Sequence, residues 1–65
     1  MGYKVGDIVK INPIYSKFAN KNNVNVEYEI VEVINGGKKY RIQKKGGNYR
    51  TAIGPIAEKE LMEAL

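Results

Sequence analysis

Val26-Glu27-Tyr28-Glu29-Ile30-Val31-Glu32-Val33-Ile34-Asn35-Gly36-Gly37-Lys38-Lys39-Tyr40-Arg41-Ile42-Gln43 is the stretch that decides the fold. Val26 to Ile30 alternates apolar and charged residues, the pattern of a strand with one face in water. Ile30-Val31 then sets two apolar residues in succession, and Val31-Glu32-Val33 resumes on the opposite parity. That slip predicts a β-bulge or sharp coil near Ile30–Glu32, a device that bent strands of small barrels need. Asn35-Gly36-Gly37 predicts a tight hairpin turn, because Asn and Gly tolerate positive φ. Lys38 to Gln43 is the returning strand, with Tyr40 and Ile42 inward and Lys39, Arg41 and Gln43 outward.

Outward from this hairpin, Ile8-Val9-Lys10-Ile11 reads as a short β-branched strand behind the Gly6-Asp7 turn, stopped by Pro13. Residues 12–25 hold five asparagines and form a long polar connection, an exposed loop whose large apolar residues before Val24 are Ile14, Tyr15 and Phe18. Lys44-Lys45-Gly46-Gly47 marks a second turn. Asn48 to Ala52 is expected to be the next strand, with Tyr49 and Thr51 on one face and Arg50 on the other, broken by Gly54 and Pro55. The segment from Ala57 to Leu65 fits either a short helix or a single helical turn over Glu58–Leu61 followed by a strand Met62–Leu65. The candidate core is Val5, Ile8, Val9, Ile11, Val26, Tyr28, Ile30, Val33, Tyr40, Ile42, Ile53, Ile56 and Leu61.

Sixty-five residues, spanning 1–65, leave room for one domain. With no cysteine, neither a disulfide nor a thiolate metal site can staple it, and the lack suits a reducing compartment. Met1 leads into a polar stretch with no apolar signal core, and no apolar run is long enough to span a membrane. The expectation is a cytoplasmic protein, with no membrane contact and nothing that requires an oligomer.

The opening Lys4-Val5-Gly6-Asp7-Ile8-Val9-Lys10-Ile11, the long loop after it and the ending Gly54-Pro55-Ile56-Ala57-Glu58-Lys59-Glu60-Leu61 together resemble the SH3-like barrel superfamily over nearly the whole chain. Compact accessory subunits of that superfamily, such as the PsaE-type photosystem subunit, end in a similar acidic-then-leucine segment. The resemblance implies an all-β fold: a small SH3-like barrel of about five short antiparallel strands, with a long loop after strand 1 and one short helical turn near the C-terminus. Residues 12–25 lack the glycine of KOW-type nucleic-acid modules. The chain also lacks the tryptophan and the Ala-Leu-Tyr-Asp-Tyr-like strand of proline-binding SH3 domains, so the resemblance carries no functional residue with it.

Catalysis has little to draw on. Histidine and cysteine are absent, and Ser16 is the sole serine, with no imidazole to activate it. Glu27 and Glu29 share a strand face and could act as paired acids or hard-cation ligands, but a solvated face explains them better. The Gly pairs do not lead into a phosphate-cradling strand–loop–helix unit. The expectation is therefore a non-enzyme with no catalytic residue, no metal and no cofactor.

The charge is informative. Net charge is +4, yet residues 35–51 contain Lys38, Lys39, Arg41, Lys44, Lys45 and Arg50 and no acid, while all seven carboxylates lie outside. Tyr40 and Tyr49 are interleaved with these cations, and Tyr40 shares the inward parity of Ile42. Such a segment predicts a nucleic-acid-binding hairpin over residues 38–50, using Lys38, Lys39, Arg41, Lys44, Lys45, Tyr49 and Arg50. If all six cations met duplex phosphates, log K would fall against log salt with a slope of about −5. In the competing reading, lysines blunt a strand edge and Lys39 and Arg41 pair across the sheet with Glu27 and Glu29. A second function places a protein–protein adaptor or accessory subunit, phage-encoded ones included, at the groove around Tyr15 and Phe18. There the basic hairpin would meet an acidic protein surface. Loop anchoring is the plainer role for both aromatics.

Overall fold

The computed structural model describes residues 2–47 and 49–64, with the side chain of Tyr49 outside that description. Five strands follow in order: β1 Ile8–Ile11, β2 Tyr28–Ile34, β3 Lys39–Lys44, β4 Ile53–Ala57 and β5 Leu61–Glu63. They form one antiparallel sheet in the order β4-β3-β2-β1-β5. The fold is all-β, as the alternation of residues 26–43 requires.

Each strand sends one or two side chains into a common core: Val9 and Ile11, Tyr28 and Ile30, Tyr40 and Ile42, Ile56, and Leu61. Tyr3, Phe18, Ala19, Val26 and Ile53 are half-buried against it. Ile8 alternates away from Val9 and is only half-buried. Val5 precedes β1 in a turn and is exposed, and Val33, opposite Tyr40 at the hairpin end, is exposed too. These three do not belong to the core expected from sequence.

The β2–β3 register jumps between Ile30 and Glu32, so the phase slip at Ile30-Val31 is a bulge. Asn35, Gly36 and Gly37 all take positive φ, as the hairpin needs. At the C-terminus the turn-plus-strand alternative holds. Glu58–Glu60 is a single 3₁₀ turn, the Glu60 carboxylate accepts the Ala57 N–H at 3.2 Å, and β5 pairs with β1.

The expected strand over 48–52 is not formed. Tyr49–Thr51 is a 3₁₀ turn, Asn48 lies outside the described residues, and the strand is Ile53–Ala57. Gly54 and Pro55 sit inside β4 rather than ending it, joined by a cis peptide bond. Two features permit this. β4 is a sheet edge, where the missing proline N–H costs no ladder bond. The strand also carries an extra residue there, since Tyr40 and Ile42 face Ile56 and Ile53.

Candidate functional sites

The β2–β3 hairpin presents its charges as a ladder of mixed sign. Lys45 Nζ lies 3.3 Å from Glu27 Oε1, Gln43 faces Glu29, and Arg41 Nε lies 4.0 Å from Glu32 Oε1. Cross-strand pairing is present, but the register and the bulge give Arg41 the partner Glu32 and give Glu27 the partner Lys45, in place of the pairs Lys39 and Arg41 with Glu27 and Glu29. The six cations are therefore divided. Lys38 and Lys39 sit exposed at the tight turn. Lys44, Lys45 and Arg50 sit exposed around the other end, roughly 20 Å away at ~3.4 Å per strand residue. Arg50 belongs to the 3₁₀ turn and already makes contacts of its own. The Tyr49 side chain, the proposed stacking partner, lies outside the described residues. Tyr40 is wholly buried, and its hydroxyl accepts the Tyr3 N–H at 3.0 Å.

At the Lys44 end a cavity of about 320 Å³ opens between Tyr28, Lys44, Gly47, Thr51 and Ile53. Tyr28 pairs in register with Lys44 and Ile42 with Ile53, which brings the lining residues of β2, β3 and β4 to one end of the sheet. Burial pushes the Tyr28 phenol above its ordinary pKa, keeping it a neutral hydroxyl.

The long loop is held by its own asparagines. The Asn20 N–H donates to Asn23 Oδ1 at 2.8 Å, Asn22 N–H to Asn20 Oδ1 at 2.8 Å, and Asn23 Nδ2 to the Phe18 carbonyl at 2.6 Å. Ser16 Oγ accepts the Phe18 N–H at 3.1 Å, so the sole serine serves a turn. Phe18 packs on the core with Lys17 Nζ 5.8 Å from its ring centre, which makes it an anchor. Tyr15 does not anchor the loop and stands 61% exposed. Pro13, Ile14, Val24 and Met62 border a groove of about 320 Å³, in whose lining Lys10 is the one charged side chain among the described residues. Ile14 is 80% exposed and Met62 42%. Neither was marked as a site residue by sequence: Ile14 was lost among polar neighbours, and Met62 depends on β5 lying beside β1.

A third cavity, about 290 Å³, is lined by Tyr3, Asp7, Ile8, Glu63 and Ala64. Burial first, then the carboxylates of Glu58 and Glu63, push the Tyr3 phenol upward. Among the described residues no group of three acidic, histidine or cysteine side chains is placed to hold a metal, and no helix is long and apolar enough to cross a membrane. No protein-family model, curated protein or solved structure matches the chain.

Proposed function

We propose that this chain is a non-catalytic binding module built as an SH3-like barrel, whose loop groove receives an extended segment of a partner protein. The sheet order β4-β3-β2-β1-β5, the long first loop and the 3₁₀ turn before the last strand support the architecture. One observation carries the function: Ile14 and Met62, both exposed, line a single groove together with Pro13 and Val24, and the exposed Tyr15 follows Ile14 in the chain. Lys10 in the groove wall favours a segment that pairs apolar side chains with a carboxylate. Covering Ile14 is worth about 1.5–3 kcal/mol, or about tenfold to a hundredfold in affinity. Tagged wild type, Ile14→Ser and Lys39→Glu serve as baits, with recovery measured by quantitative mass spectrometry. A true partner is lost with Ile14→Ser and retained with Lys39→Glu. Recovery indifferent to Ile14 refutes the groove.

A nucleic-acid reading has its own support. Lys38, Lys39 and Lys44 form no ion pair among the described residues, and the Lys45–Glu27 pair is exposed and weak enough for a phosphate to replace. With Lys38, Lys39, Lys44 and Lys45 on duplex phosphates the salt slope is about −3.6, shallower than six cations would give. Anisotropy titrations at low salt measure it, and no binding to duplex or single strands ends this reading.

A further inference from the structure

We propose that the cavity between Tyr28, Lys44, Thr51 and Ile53 is a pocket for one unstacked base of a single-stranded nucleic acid, with the adjoining phosphate held at Lys44. This rests on the nucleic-acid reading and gives it a site and a substrate class. The volume, about 320 Å³, is at the lower end of the ~300–1,000 Å³ of small-ligand pockets, room for one flat ring system. Ile53 and Tyr28 supply apolar lining. Thr51 and Tyr28 line the same cavity, and each brings a hydroxyl-bearing side chain to it.

The electrostatics select the rest of the ligand. Among the described residues Lys44 is the one charged residue in the lining, and it is exposed, so the backbone phosphate next to a bound base can meet a cation at the pocket's rim. A bare oxyanion suits the site less well. Anion cradles are made of converging backbone N–H groups, but the Gly47 N–H is already given to the Lys44 carbonyl at 2.7 Å and the Lys45 N–H to the Glu27 carbonyl at 3.0 Å. A duplex suits it less well too, because paired bases stay stacked and cannot enter a concave pocket, whereas single strands offer splayed bases.

The test is an amide NMR titration of the full chain with short oligothymidylate, inorganic phosphate, oligoglutamate and a DNA duplex at matched ionic strength. Saturable shifts at Gly47, Thr51 and Ile53 with oligothymidylate alone are the expected result. Thr51→Phe, which fills the pocket without changing charge, should weaken oligothymidylate binding about tenfold and leave duplex binding unchanged. Lys44→Gln should make the single-strand salt slope shallower by about 0.7. The same shifts with phosphate or oligoglutamate would reduce the site to a simple charge contact and overturn the base pocket. Duplex binding as tight as single-strand binding, with shifts at Lys38 and Lys39, would overturn the pocket while leaving the nucleic-acid reading intact. Absence of binding to either nucleic acid would overturn both. Because the titration uses the unaltered chain, it decides even if Thr51→Phe misfolds.

Discussion

Replacing Gly54 by alanine should cost this fold a large part of its stability. Gly54 has φ +134°, a conformation L residues rarely adopt, and forcing one there costs about 1–3 kcal/mol. An added Cβ would also lie 2.7 Å from the Tyr40 carbonyl oxygen, 3.2 Å from Arg41 Cα and 3.3 Å from Arg41 Cγ. Two of those atoms are backbone of β3, which cannot move without disturbing its pairing with β2, so the overlap adds about 1–3 kcal/mol. The total, about 2–6 kcal/mol, compares with roughly 3–10 kcal/mol for a domain of this size at ~0.05–0.15 kcal/mol per residue. At ~4–8 °C per kcal/mol, Tm should fall by at least about 8 °C. Gly6→Ala is the control: φ is +97° but nothing lies within 4 Å of the added Cβ, so only the conformational cost applies. Thermal and urea unfolding of both variants separate the two contributions. Equal losses for Gly54→Ala and Gly6→Ala would refute the close approach of β4 to β3.

Tyr40→Phe keeps the buried ring and removes the acceptor of the Tyr3 N–H, so urea unfolding should show a loss of about 0.5–1.5 kcal/mol. Burial raises the folded-state pKa of Tyr28 and Tyr3 above the unfolded value near 10. Below that value both states are protonated and the contribution is complete. Above it the unfolded state ionises first, so stability should be flat from neutral pH and fall as pH rises through 10 toward the folded pKa, a fall that Tyr28→Phe lessens. Asn23→Ala removes bonds to the Phe18 carbonyl and the Asn20 N–H. Hydrogen exchange across residues 18–24 should accelerate while Tm changes little.

What the sequence reveals and what it hides divide along physical lines. The bulge is legible because a period of two cannot absorb Ile30-Val31 without an extra residue. The hairpin turn is legible because three consecutive Asn and Gly residues have few other uses. β4 is hidden, because Gly54-Pro55 has the composition of a breaker, and only its place at the sheet edge with an extra residue makes it a strand. The charge ladder is hidden for a related reason. Which residue faces Arg41 depends on counting across the bulge: the Ile30–Ile42 register continued unbroken would set Val31 there, and the one extra residue makes it Glu32. The groove at Ile14 and Met62 joins a loop to a strand some fifty residues later, and no local pattern marks such a meeting.

That ladder changes what a basic hairpin means. Counted along the chain, every charge in residues 35–51 is positive, but at close range Glu32 offsets Arg41 in the middle of the hairpin and Glu27 offsets Lys45, which leaves Lys38–Lys39 at one end and Lys44, with Arg50 near it, at the other. At physiological salt the Debye length is ~8 Å, well short of the roughly 20 Å that separates them. A short anionic ligand therefore meets one end or the other, never the sum. The end that also has a cavity should hold it, and only a chain long enough to bridge both ends can collect all the charge that the composition promises.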